Sequence, residues 1–410
     1  NGCWTMPSHM SLLNGTLPSR HNINECWAEI NDQKKYPKLS ESVKTISEIL
    51  KQKFTNLRTL KYAFLPKSLG FSKGFDLDRT IDPFVNKKRF KKLTTTLEEN
   101  RDHNFFLFIH TWWVHSPYTN SYFLNKEKAT KKQRRYIDNF MGMGKKKREE
   151  IIGRKSKSRG PDFIYYLKKK GWFNPTDCID LYDGGIRYVD KYMGKIFKKM
   201  KQLGIYDNVM FIIVSDHGEH FTEHYKNKFY SAHGFDYFEE FIKVPIIIKF
   251  PHTRKQRTID NPVSLIDVVP TILDYYKIKI PQFIQGNSLL IPISRKPTKY
   301  IVSEAVTSSH VEKKMIRIGD LKYIIQMRKP YTKGRVNWGN IYNRRLFNLK
   351  TDPLEKQNLY NQALEYKRVG SKLENLLKKV INDSIHLNNS TGEVTVDKKT
   401  IQQLRDLGYL

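Results

Sequence analysis

Apolar residues in this chain come in short blocks set between polar, turn-rich stretches. Phe105–Ile109 (FFLFI) is a continuous apolar run ending at His110 and predicts a buried strand. Val209–Val214 predicts another, and so does Val244–Phe250, with Pro245 near its start and Pro251 closing it. Residues 181–204 instead space Ile186, Val189, Met193, Ile196 and Phe197 at helical intervals, with Gly204 as the stop. Ser264–Tyr276 and Leu364–Val380 read as helices, and residues 40–65 do as well. Near the start, Thr5-Met6-Pro7-Ser8 leads into His9–Leu13 and Asn14-Gly15. That is a hydroxyl cap, a proline in the first turn, a short helix and a glycine stop. Helices alternating with apolar strands predict an α/β fold, doubly wound about a mostly parallel sheet. From about residue 300 the pattern changes, and Tyr300–Val302, Met315–Ile318 and Leu321–Gln326 read as short strands joined by turns. We therefore divide the chain into an α/β domain over 1–295 and a smaller α+β C-terminal subdomain over 296–410. No repeat of fixed period is visible.

Composition narrows the classes. The chain has 410 residues, 39% hydrophobic and 13% aromatic, which is enough for a sizeable core and too rich for a disordered polymer. No apolar run reaches the ~18 residues of a membrane helix. Lys and Arg exceed Asp and Glu by 73 to 41, a net charge of +32. Such an excess calls for an anionic partner, polymeric or membranous, unless it only mirrors biased codon usage. It concentrates in residues 126–170, with 17 basic against 5 acidic residues, including Lys145-Lys146-Lys147-Arg148. This stretch reads as a basic insertion: a solvated surface excursion, or a segment that touches a polyanion. Its aromatics are too sparse for a base-stacking platform, so no specific nucleic-acid partner is expected. Cys3, Cys26 and Cys178 allow at most one bridge and form no CxxC pair. The chain begins Asn-Gly-Cys without a leader, as a processed or truncated chain would, so compartment and signal peptide stay open. The oligomeric state is open too.

Ligands in open α/β sheets sit beyond the carboxyl ends of the strands. Asp216-His217 follows the strand at 209–214, and His110 and His115 follow the strand at 105–109. An adjacent Asp and His supply a hard oxygen and an imidazole nitrogen for a divalent metal, or simply cap a turn. His217, His220, His224 and His233 are four of only 12 histidines and lie within 17 residues. Thr5, at a helix start, sits among free backbone N–H groups at the positive dipole end, where a phosphate or sulfate binds. A metal on its hydroxyl would make it a nucleophile; otherwise it is an ordinary cap.

The segment Thr5-Met-Pro-Ser-His-Met-Ser-Leu-Leu-Asn-Gly-Thr-Leu-Pro-Ser-Arg-His21 resembles the nucleophile signature of the sulfatase family, in the alkaline phosphatase superfamily. That signature runs Cys/Ser/Thr-x-Pro-Ser-Arg/His, then Leu-Leu-x-Gly, then Pro-x-x-His. His110–Tyr118, Ser215-Asp-His-Gly-Glu219, Glu223-His224, His233-Gly234 and Phe238–Pro245 are similar to the family's later segments, in order. Val263–Asp267, Gln285–Leu289, Lys322-Tyr323 and Leu346–Pro353 extend the likeness over nearly the whole chain.

The resemblance implies an alkaline phosphatase-like fold with Thr5 as nucleophile. Asp216 and His217 become metal ligands, and His115 the histidine that contacts the transferred group and protonates the leaving oxygen. His233 is a further catalytic contact, and His9 a substrate-binding residue beside the nucleophile. His220 and His224 read as supporting residues. The implied cofactor is a divalent ion, calcium first, with magnesium, manganese or zinc as alternatives. The implied partner is an anionic sulfated or phosphorylated substrate, possibly polymeric in form. Two departures matter. Relatives carry an Asp-rich metal-binding strand upstream of the nucleophile, which this chain lacks, so a fragment short of carboxylate ligands is expected. Thr5 also replaces the cysteine that becomes formylglycine, so no formylglycine is expected. The leading expectation is a metal-dependent sulfuric ester hydrolase working through a covalent Thr intermediate. The alternatives are a phosphodiesterase or phosphotransferase using Thr, and a non-catalytic polyanion-binding relative.

Overall fold

The computed structural model describes residues 1–24, 35–37, 39–116, 145–153, 175–225, 233–290, 300–306, 311–328, 336–386 and 393–395, with scattered positions between 118 and 169. The helices are α1 (Thr5–Asn14), α2 (Pro18–His21), α3 (Ile46–Lys53), α4 (Lys87–Glu99), α5 (Lys145–Ile152), α6 (Pro175–Gln202), α7 (Glu239–Ile242), α8 (Val268–Tyr275) and α9 (Leu364–His386). The strands are β1 (Lys35–Pro37), β2 (Arg58–Tyr62), β3 (Leu77–Arg79), β4 (Phe105–Ile109), β5 (Phe211–Val214), β6 (Ile246–Lys249), β7 (Tyr300–Val306), β8 (Val311–Ile318), β9 (Leu321–Arg328), β10 (Ile341–Asn348) and β11 (Glu393–Thr395). Cys26 and most of the basic stretch 126–170 lie outside the described residues, as does the boundary drawn at 295. No helix among the described residues is long and apolar enough to cross a membrane.

The fold is α/β. β2 pairs in parallel with β3 and β4, in the order β3-β2-β4, while β5 and β6 form an antiparallel pair. Side chains alternate along a strand, so each strand feeds two cores. Phe106, Phe108, Ile212 and Val214 face a core built with α1, α3 and α8. Phe105, Leu107, Ile109 and Phe211 face a second core built with α4 and α6. Helices thus cover both faces, as the doubly wound reading requires. The C-terminal sheet is antiparallel, β10-β9-β8-β7. Tyr323 and Ile325 pack with Leu373, Leu377 and Ile381 of α9, while Ile324 and Phe347 join the core under α1.

Two expectations are corrected. Residues 40–65 are not one helix: α3 is only Ile46–Lys53, and β2 follows. β2 reads Arg-Thr-Leu-Lys-Tyr because its buried lysine has partners; Lys61 Nζ lies 3.1 Å from Asp78 and 3.2 Å from the Phe71 carbonyl. The C-terminal strands are also longer than their apolar runs. Strands β8, β9 and β10 carry inward-facing cations paired with acids from elsewhere. Lys313 reaches Asp236 at 2.7 Å, Arg345 reaches Asp236 at 2.5 Å, and Lys322 reaches Glu239 and Glu355 at 2.9 Å each.

These pairs fasten the C-terminal sheet to residues 233–242. Burial opposes the charge on Asp236, but Arg345 and then Lys313 outweigh it and hold the carboxyl well below its ordinary range. Removing it strands two buried cations. Asp236→Ala should therefore cost about 3–5 kcal/mol in a denaturant titration. A loss within the surface-pair range of about 1 kcal/mol or less would contradict this reading.

Candidate active site

Helix α1 is buried along its whole length and ends at Gly15, whose φ of 73° is the left-handed turn the sequence calls for. Its start differs from expectation. Trp4 is the extended residue before the helix, Thr5 is the first helical residue, and the Trp4 side chain makes no capping hydrogen bond. The Thr5 hydroxyl is instead 3.2 Å from Nε2 of His217. His217 Nδ1 lies 2.8 Å from the Gly218 carbonyl, which fixes Nδ1 as donor and Nε2 as acceptor.

Three chain segments meet there. The loop after β4 brings His110 and His115; the loop after β5 brings Asp216, His217 and Glu219; His233 closes the far side. His9, one turn along α1 from Thr5, lies with Nδ1 3.0 Å from the Thr5 carbonyl and 3.1 Å from Asp216 Oδ2. The rings of His9 and His110 are 4.4 Å apart, those of His217 and His233 4.2 Å, and those of His115 and His233 4.8 Å. His115 Nδ1 donates to the Ser116 carbonyl at 2.5 Å, and His233 Nδ1 is 3.2 Å from Glu219. Glycines let the backbones close in. A Cβ on Gly185 of α6 would lie 2.2 Å from the Trp113 carbonyl, and one on Gly218 would lie 2.1 Å from the Glu240 carbonyl. A cavity of about 30 Å³ remains, lined by Thr5, His110, His115, Tyr182, Asp216, His217 and Glu219 among others.

The structure therefore brings together Thr5, His9, His115, Asp216, His217 and His233. It adds His110 and Glu219. His110, His9 and Asp216 each offer an atom within 4.8 Å of the others, a spacing that can hold a metal ion. Asp216 Oδ2 and His110 Nδ1 are buried without an aligned hydrogen bond among the described residues. Its position at the strand end was the available signal for His110. Glu219 follows the Asp-His pair but interacts with residues far away in sequence. His220 and His224 turn to a separate acidic cluster.

Burial sets the charges. It pushes His115 down to about 3 and His233 to about 4, and lowers His110 and His217 as well. It also raises Glu219. Burial opposes the Asp216 charge too, but His217, then His9, outweigh it and keep this carboxyl well below its usual value. An unfolded histidine titrates near 6.5, so below that pH the unfolded chain binds protons that the folded site refuses. Stability then falls as pH drops through about 6.5, and goes on falling toward 4 and 3. The denaturation midpoint of chelator-treated protein should decline steadily from about pH 6.5 to pH 4. A flat profile over that window would contradict burial of neutral imidazoles.

Comparison with known proteins bears on the family and the fold. A family profile described as Sulfatase matches residues 2–278, and one described as N-sulphoglucosamine sulphohydrolase, C-terminal, matches residues 229–383. Arylsulfatase K of Bos taurus is 31% identical over 208 residues, covering 47% of this chain and 34% of that protein. The ulvan-active sulfatase of Formosa agariphila is 29% identical over 192 residues, covering 46% and 36%. The match thus spans about a third of these relatives' length. The solved structure of BT4656 in complex with its substrate D-glucosamine-2-N,6-O-disulfate has TM-score 0.61 at 16% identity, covering 95% of this chain and 90% of that one. The phosphonate monoester hydrolase of Agrobacterium radiobacter has TM-score 0.61 at 14% identity, covering 96% and 90%. Those two share its fold. With the profile running from residue 2 through Thr5, the histidine loops and β6 to residue 278, the chain belongs to the sulfatase family.

Proposed function

We propose that this protein hydrolyses a sulfate ester on an anionic, sugar-like substrate through a covalent ester of Thr5. The contact between Thr5 Oγ1 and His217 Nε2 carries the reading: a buried hydroxyl faces a nitrogen held as an acceptor, at the wall of a small polar cavity. Family membership and the sulfatase names among the relatives support sulfate as the group transferred.

Thr5 Oγ1 attacks sulfur in line with the leaving oxygen, and its proton passes to His217 Nε2. The sulfur–oxygen bond to the sugar breaks, and His115 in its doubly protonated form protonates the leaving alkoxide. Burial keeps His115 neutral in the free site. The negative charge of a bound sulfate raises its affinity for a proton, so the acid is armed when substrate arrives. In the second half, His115 accepts a proton from the attacking water. The Thr5–sulfur bond breaks, and His217 returns its proton to Thr5 Oγ1. The positive end of α1 and His233, held against Glu219, steady the non-bridging oxygens.

His9, His110 and Asp216 would hold a divalent ion, whose charge would favour the threonine alkoxide and the developing negative charge. Two imidazoles with one carboxylate suit zinc or manganese better than calcium, which takes six to eight oxygens. His217 Nε2 lies 3.2 Å from the Thr5 hydroxyl and 3.4 Å from Asp216, so it serves as base or as ligand, not both at once. We assign it as the base. The basic stretch 126–170 supports a polyanionic form of the substrate.

A second reading keeps the site and changes the ester. Thr5 has no aldehyde hydrate with which to expel sulfate, and a threonine oxygen suits phosphoryl transfer. Cys3 is no substitute, because burial pushes its thiol up to about 12.

Aryl sulfate, aryl phosphate and bis-aryl phosphodiester should be compared as substrates of the full-length protein. Thr5→Ala should lower turnover on the order of 10³-fold or more, with Thr5→Ser recovering part of it. Aryl sulfate should be the fastest of the three. Turnover unchanged in Thr5→Ala removes the nucleophile, and a faster phosphodiester moves the function to phosphorus.

His217→Gln separates base from ligand. As the base, it should lower kcat while leaving zinc or manganese affinity unchanged. A parallel loss of metal affinity would make His217 a ligand instead. Chelation should abolish turnover, with zinc or manganese restoring more than calcium.

A further inference from the structure

A second cluster stands apart from the cavity at Thr5 and does not depend on what that cavity does. His220 is fully buried, and neither of its ring nitrogens completes an aligned hydrogen bond among the described residues. Its Nδ1 points between two carboxylates, 3.0 Å from Glu223 Oε2 and 3.4 Å from Glu240 Oε1. Each of these three residues offers a ligand atom within 4.8 Å of the others. We propose that His220, Glu223 and Glu240 form a second divalent transition-metal site, of the zinc class, that ties the loop after β5 to α7.

The spacing is that of ligands around one ion. With metal–nitrogen and metal–oxygen bonds of about 2.0–2.2 Å, tetrahedral ligand atoms lie about 3.4 Å apart. The two carboxylates are fixed before any ion arrives. Glu223 accepts the backbone N–H groups of Phe221 at 2.7 Å and Thr222 at 3.0 Å. Glu240 Oε1, the oxygen that faces His220, also lies 2.6 Å from His224 Nδ1, so this second imidazole positions the carboxylate. Burial opposes the His220 charge, but Glu223 and Glu240 outweigh it and hold the ring up at about 9, so an entering ion displaces its proton and leaves two carboxylates and a neutral imidazole to balance a doubly charged cation. Aromatic rings wall the inner side, with Phe241 stacked on His220 at 5.5 Å and Phe238 on His224 at 3.7 Å. Glu223 is 43% exposed, so the outer side admits the ion and a water as fourth ligand. One imidazole with two carboxylates excludes a thiolate-type site and suits zinc, manganese or iron, with cobalt as a spectroscopic substitute.

The test is cobalt(II) and zinc binding to the full-length protein in an Asp216→Asn background, which disables the His9-His110-Asp216 cluster. One cobalt equivalent with visible absorption should bind and be displaced by zinc. His220→Gln and Glu223→Gln, each added to that background, should both lose it. Glu223 lies at the surface, so its variant keeps the fold even if the His220 change does not. His224→Ala should weaken zinc about ten- to hundredfold. No metal bound in the Asp216→Asn protein, or binding undiminished by Glu223→Gln, overturns the proposal.

Discussion

A buried carboxylate among imidazoles is the constraint on which the rest depends. Asp216 stays charged inside the protein because His217, His9 and His110 surround it, and burial keeps several of those rings neutral. A carboxylate so placed needs positive charge close by. Around Asp216 the start of α1 meets the ends of β4 and β5, with the Thr5 hydroxyl against His217. The C-terminal sheet extends the same logic outward. Its buried Lys313 and Arg345 close on Asp236, three residues beyond His233, so the sheet braces the far wall of the site.

Much of this was legible because its causes are local. The glycine stop at Gly15, the apolar run Phe105–Ile109 and the Asp-His pair directly after β5 each depend on a few adjacent residues. What stayed hidden has long-range causes. Lys61 makes β2 look like part of a polar helix until Asp78 and the Phe71 carbonyl are in place beside it. Lys313, Lys314 and Lys322 shorten the apparent strands of the C-terminal sheet, because their acids come from distant segments or neighbouring strands. His110 was visible at a strand end, but its place against His9 and Asp216 follows from how α1 seats on the sheet.

The place of Thr5 in its helix differs from the sequence reading. As a cap its hydroxyl would bind its own helix; one position further in, it is released to His217. That shift of one residue sets the Thr5 hydroxyl against His217, and the proposed catalysis rests on this contact.

The most direct test is to quench the full-length protein during turnover of an aryl sulfate and map the adduct by peptide mass spectrometry. The account predicts a sulfo group on the peptide carrying Thr5, absent in Thr5→Ala. Sustained turnover with no adduct on that peptide, or an adduct on another residue, would contradict it.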